Sequence, residues 1–108
     1  MIARYWSATI SKDKAPEYAH HLTTSVLQEL KALNGFEGGK LLQRDIPGGV
    51  EVVVITFWKS LDAIRGFAGD DIEAAVVADK AASLLIDFNR TVRHYDVIDL
   101  GTAVASNI

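Results

Sequence analysis

The feature that most constrains this chain is the run V-E-V-V-V-I-T-F-W, Val50 to Trp58. Seven consecutive apolar or β-branched residues, Val52 to Trp58, follow its one charge, Glu51. Such a run reads as a strand that is apolar on both faces, so both faces need cover. In a chain of 108 residues, helices supply one cover. A second copy of the chain is the expected source of the other.

The rest of the chain is read outward from that strand. Ile2 to Ile10 is rich in β-branched and aromatic residues and predicts a first strand. One side carries Ile2, Arg4, Trp6, Ala8 and Ile10, and the other Ala3, Tyr5, Ser7 and Thr9. Pro16 suits a first helical turn. From it Ala15, Tyr18, Ala19, Leu22, Val26, Leu30 and Leu33 recur at helical spacing, with Asn34-Gly35 as the stop. Phe36 to Ile46 predicts a second strand, with a bulge or close approach at Gly38 and Gly39. Pro47-Gly48-Gly49 turns it into the Val50–Trp58 strand as a hairpin. Ser60 is an N-cap for a short helix through Phe67, which Gly69 ends. Asp70 and Glu73 have capping-box spacing and predict another helix, with Ile72, Ala75, Val76 and Val77 as its apolar side. Ala78 to Asn89 reads as a short helix and a loop, and Thr91 to Leu100 as the last strand.

The order is β-α-β-β-α-α-β. It predicts an α+β, ferredoxin-like split β-α-β sandwich, a four-stranded antiparallel sheet with helices on one face. The Val50–Trp58 strand lies between the first two strands, and the last strand lies beside the first. Trp6, Val54 and Trp58, or their neighbours by parity, form the uncovered face, which is expected to pair with a second copy. Residues 1–100 are expected to form one domain and 101–108 a tail or an arm reaching a partner. The opening methionine is read as the start of a free-standing chain.

Composition removes several function classes. There is no cysteine, hence no disulfide, thiolate nucleophile or cysteine-based metal site. A net charge of −3 and a pI near 5.5 provide no basic surface for nucleic acid. No apolar run is long enough for a membrane span, and the expected location is the cytoplasm.

Histidines and carboxylates are the groups that could carry chemistry. His94 is alone among the three histidines on a predicted strand, and Asp96 shares its side, so the imidazole is a base candidate or a structural group in a network. His20 and His21 are about 100° apart on a helix and cannot share one metal well. Asp70, Asp71 and Glu73 are explained by helix capping, so no metal is expected. There is no phosphate loop and no G-x-S-x-G elbow.

Three strings add a family likeness. M-I-A-R-Y-W, then T-F-W-K-S-L-D-A-I-R-G-F-A-G-D-D-I-E-A-A-V from Thr56 to Val76, and V-R-H-Y-D-V from Val92 resemble the antibiotic biosynthesis monooxygenase domain family. The likeness covers roughly residues 1–100 and is nearest to small uncharacterised members. It implies a dimeric α/β barrel and a cofactor-independent monooxygenase-like activity on an aromatic or polyketide-type phenol. The alternatives are a haem or hydrophobic-ligand binder and a non-catalytic dimeric module. Haem-degrading members carry an Asn on the first strand, a Trp late in the first short helix and a ligating His on the next helix. Register through W-K-S and D-D-I-E-A-A places Ser7, Phe67 and Val77 there, and none of them matches. The expected catalytic residues are His94, Ser7 and Tyr5, with no cofactor. A small hydrophobic or aromatic ligand is expected against Ile64, Phe67, Ile72 and Val76, with Tyr5 and Ser7 pointing to the helices.

Overall fold

The structure, a computed structural model, describes residues 1–101. Its elements are β1 (Ile2–Ile10), α1 (Ala15–His21), a π-helical segment (Leu22–Val26), α2 (Leu27–Lys31), β2 (Phe36–Ile46), β3 (Gly49–Trp58), α3 (Leu61–Ala68), α4 (Asp79–Leu84), β4 (Leu85–Phe88) and β5 (Arg93–Asp96). The strands form one antiparallel sheet in the order β2-β3-β1, with β4 and β5 sharing the far edge of β1. The central position expected for the Val50–Trp58 strand is its position here. The sheet has five strands, one more than expected, because Leu85–Phe88 extends alongside Ala8–Ile10.

Local chemistry explains most joints. Ile46 pairs with Gly49 across a two-residue turn, in which Pro47 sets the first φ and Gly48 takes φ +85°. The β2–β3 register slips between Phe36 and Gly38, at the glycines expected to make a bulge. Ser60 Oγ accepts from Ala63 N at 3.2 Å and caps α3. Gly35 lets the chain pass against α3, since a Cβ there would lie 2.5 Å from that of Ala63.

Three local expectations are corrected. The 70–77 segment is not a helix. Its backbone groups are used elsewhere: Ala75 N donates to Arg90 O, Val92 N donates to Glu73 O, and Ala74 bridges Thr91. The Arg4 guanidinium takes the Ile72 and Ala74 carbonyls. With those carbonyls engaged, the capping-box spacing has no helix to start. The last strand is also shorter than expected, Arg93–Asp96. The third correction is parity. Ala8, Ile10, Val50, Val52 and Trp58 are buried under the helices, with Trp6 and Val54 packed against the same side. Tyr5, Ser7, Val53, Ile55 and Phe57 therefore belong to the other face. Residues 102–108, most of the expected tail, lie outside the described residues.

Candidate functional site

The core under the helices is split. One cluster gathers Ala8, Ile10, Tyr18, Val50, Val52, Ala81 and Leu84. The other gathers Leu30, Trp58 and Ile64, with Phe36 and Phe67 against them. Between them the helix passes through its π-helical segment, in which no residue is fully buried.

The sequence contains a reason for that segment. Tyr18, Leu22, Val26 and Leu30 recur at strict four-residue spacing. In a regular α-helix such a row drifts by about 40° per step. A wider turn at the middle brings the row back toward the sheet. Thr23 and Thr24 occupy the outer side, where their hydroxyls donate to helix carbonyls: Thr24 Oγ1 to His20 O at 2.7 Å, and Thr23 Oγ1 to Ala19 O at 3.1 Å.

A cavity of about 100 Å³ fills the gap between the two clusters. Leu22, Val26 and Leu30 wall it from the helix, Trp6, Val54 and Thr56 from the sheet, and Phe67, Val76, Val77 and Val92 from the remaining sides. A second cleft of about 110 Å³ lies beside it toward β2 and shares Leu22, Val26, Leu30, Val54 and Thr56. The wall is mostly apolar, which suits a hydrophobic ligand.

Few polar side chains reach this wall. Arg4 is only 4% exposed and makes no ion pair among the described residues. Its Nη1 donates to Ile72 O at 2.5 Å and to His94 Nε2 at 3.0 Å, and Nη2 donates to Ala74 O at 2.8 Å. The guanidinium also sits 5.7 Å over the Phe67 ring, which stacks on Trp58 at 5.7 Å. Arg4 thus fixes two cavity walls, the 70–77 segment and Phe67. Burial lowers its pKa, yet a guanidinium stays charged in proteins. The cavity therefore carries a built-in positive charge. Burial pushes the Tyr18 hydroxyl up to about 12, so it stays neutral. His21 contributes to the wall, and its Nε2 is buried with no hydrogen-bond partner among the described residues.

The residues expected from sequence are divided by this geometry. Phe67 and Val76 line the cavity. Ile64 is fully buried in the second cluster, and Ile72 packs on it while giving its carbonyl to Arg4. His94 stands opposite Arg4 across β5–β1, bonded to that guanidinium, and Asp96 is exposed at the strand end. Burial and then the Arg4 charge hold the His94 imidazole below its usual range, with Glu73 pulling weakly the other way. Tyr5 and Ser7 are on the opposite sheet face, away from His94. Ser7 Oγ accepts from Asn89 Nδ2, and the Tyr5 ring meets Tyr95 edge-on at 6.4 Å. Both border a small polar cleft with Asn89, Thr91 and Arg93.

Of the wall residues only Phe67 and Val76 were assigned to a site by sequence reasoning; Arg4, Trp6, Tyr18 and His21 are among those it missed. A signal for Arg4 was present: it is the one charge in the alternating stripe Ile2, Trp6, Ala8, Ile10.

No family model and no curated protein matches the sequence. Solved structures do match. One is a mutant of MhuD with two manganese protoporphyrin IX bound per active site: TM-score 0.68, 21% identity, covering 94% of this chain and all of that one. Another is a Bacillus cereus protein described as a candidate antibiotic biosynthesis monooxygenase: TM-score 0.62, 16% identity, covering 95% of this chain and 98% of that one. The chain has their fold. The likeness read from the strings around Trp58 and His94 is thus met at the level of architecture. At these identities the match carries the fold alone. Among the described residues no helix is long and apolar enough to cross a membrane.

Proposed function

We propose that the protein binds a small aromatic molecule in the cavity between the two core clusters and oxidises it as a cofactor-independent monooxygenase-like enzyme. The observation that supports this most is the split core, an apolar gap with one buried cation. Such chemistry needs a phenol held away from water and ionised, so that it can reduce oxygen. Arg4 supplies positive charge where a phenolate oxygen would sit, and Trp6, Phe67 and Val76 supply apolar surface. His94 acts in this reading through Arg4, as a positioning residue. Tyr5 and Ser7 belong to the outer face, where a second copy is proposed to cover Val53, Ile55, Phe57 and the half-exposed Leu42.

Haem fits this site poorly. A cavity of about 100 Å³ is smaller than a porphyrin. Phe67 and Val77 stand where the haem-degrading pattern has Trp and His, so no step is assigned to haem. The second reading is ligand binding without turnover, which the same apolar walls support.

Oxygen uptake with anthrone-type phenols tests the first reading. Uptake by the wild type that falls in Arg4→Gln and Phe67→Ala, with smaller effects in His94→Ala, Tyr5→Phe and Ser7→Ala, supports it. Binding without uptake leaves the carrier reading. Haemin that develops a shifted absorption band on mixing overturns the exclusion of haem.

A further inference from the structure

The cavity wall is unevenly held. Toward the helices and the sheet it is built from helix turns and strand ladders, whose backbone groups bond to one another. Residues 70–77, between α3 and α4, supply Val76 and Val77 to the wall and form no helix or strand, only the bridge of Ala74 to Thr91. Among the described residues, the hydrogen bonds that tie this strap to other segments all fall within residues 72–75. Arg4 Nη1 and Nη2 donate to Ile72 O and Ala74 O, Val92 N donates to Glu73 O, and Ala75 N donates to Arg90 O. Val76 and Val77 make no backbone hydrogen bond among the described residues, and Val76 is 51% exposed while it borders the cavity. The stretch between Ala75 and α4 is therefore the part of the wall with the least to hold it.

Two of the four tying bonds come from one guanidinium, and its place depends on His94. Arg4 Nη1, which donates to Ile72 O, lies 3.0 Å from His94 Nε2. A guanidinium keeps its charge and only donates, so this contact is a hydrogen bond only while Nε2 has no proton. With Nε2 protonated, two cations face each other, donor against donor. The charged groups that face the imidazole are Arg4 from β1 and Glu73 from the strap. On its own strand, Arg93 and Asp96 are exposed. Arg4 opposes a proton on His94, and Glu73 favours one. A protonated imidazole is thus pushed by the latch residue and pulled by a carboxylate of the strap itself.

We propose that Val76 and Val77 form a lid over the cavity, latched through Arg4 and His94: neutral His94 holds the guanidinium against the Ile72 and Ala74 carbonyls, and a proton on His94 loosens that hold and lets the lid open. The only bond made is the one between a proton from solvent and Nε2. The cavity is then closed toward neutral pH and admits its ligand faster on the acid side. The lid rests on the reading of the cavity as an aromatic-ligand site, whereas the latch does not, and the test separates the two.

Wild type and His94→Gln, which keeps an acceptor and takes no proton, are compared at about pH 8 and about pH 5, either side of the ordinary histidine value. Hydrogen exchange of the Ala75 and Val92 amides, corrected for the intrinsic rate at each pH, reports the strap. Saturable quenching of tryptophan fluorescence by nitrobenzene, which does not titrate, reports entry to the cavity, since Trp6 is on its wall. In the wild type, corrected exchange and nitrobenzene association are both expected to be about fivefold faster at the acid pH. The amides of β3, paired on both sides, are expected to keep their rates. His94→Gln is expected to show the slower rates at both pH values. Should that variant fail to fold, by circular dichroism, the midpoint of the strap response is set against the His94 imidazole titration read by NMR, and a mismatch overturns the latch. Strap exchange that ignores pH in the wild type, or responds equally in His94→Gln, also overturns the latch, and nitrobenzene binding then leaves the cavity reading standing. A strap that loosens in acid without faster nitrobenzene entry overturns the lid. No saturable quenching at either pH overturns the cavity reading and the lid with it.

Discussion

The two faces of the central strands behave differently although their composition is similar. Val54 and Ile55 are neighbours in one apolar run, yet Val54 looks toward the helices and Ile55 toward the uncovered side. On the helix side, burial is nearly complete at both ends, with Ile10, Val52, Trp58 and Ile64 showing no exposed surface. It fails only in the middle, at the π-helical segment. On the other side Tyr5, Val53, Ile55 and Phe57 are all half-buried, and Leu42 is 50% exposed. A covered face with a local gap is a place for a small molecule. A continuous half-buried face is a place for a flat partner.

The largest expected effect lies on the helix face. Trp58→Ala removes a fully buried indole that meets Phe36 edge-on and stacks on Phe67. It is expected to cost about 4 kcal/mol of stability, read by urea denaturation. A cost below about 1 kcal/mol would mean that the second cluster is not a packed core. Next comes Arg4→Leu, which leaves the Ile72 and Ala74 carbonyls without their donor. A loss of about 3 kcal/mol is expected, with protease cutting appearing first between residues 70 and 78. Cutting elsewhere first would separate Arg4 from the wall it is argued to hold.

The pair Val54→Asp and Ile55→Asp addresses the comparison directly. Val54→Asp places a charge under the helices and is expected to cost about 2 kcal/mol. Ile55→Asp is expected to leave the folded monomer within about 1 kcal/mol of wild type and to change the assembly instead. Light scattering after size exclusion is expected to give twice the 11.8 kDa chain mass for wild type and the single mass for Ile55→Asp. A wild-type monomer would remove the proposed partner from the open face.

The smallest effect is the pH response of His94. Its folded pKa is lowered from 6.5 by burial and then by Arg4. The unfolded chain therefore binds the proton more readily, and stability rises with pH across the window between the two values. The His94 contribution is fully present above pH 6.5 and is lost as pH falls toward the lower folded value. In His94→Gln the acid-side loss of stability is expected to be shallower. An identical slope in the two proteins would show that His94 is not held neutral beside Arg4.

Reading from residues to structure succeeds where the signal is local. The Pro47-Gly48 turn, the Ser60 cap, the Gly38 slip and the Gly69 stop are each set by a residue or two. The order of strands follows from them. The candidate site is less legible. Phe67 and Val76 do belong to a cavity wall, but Tyr5 and Ser7 lie on the other side of the sheet from the one expected. Both stripes of Ile2–Ile10 contain aromatic and small residues, and the choice between them depends on which side receives the helices. Glu73, three residues after Asp70, looks like a helix start because the competing partners, Arg90, Val92 and Arg4, are distant in sequence.

By itself the sequence determined that this is a small α+β chain with a central strand apolar on both sides, without cysteine chemistry or a basic surface. Those properties follow from composition, side-chain period and turn residues, which act within a few positions. Only the tertiary structure decided that the helix loosens over its middle turn, that the core parts around a cavity, and that Arg4 and His21 meet that cavity. Burial and hydrogen-bond partnership depend on segments about 70 to 90 residues apart in the case of Arg4 with Ile72, Ala74 and His94, and no local pattern encodes which of them will come together.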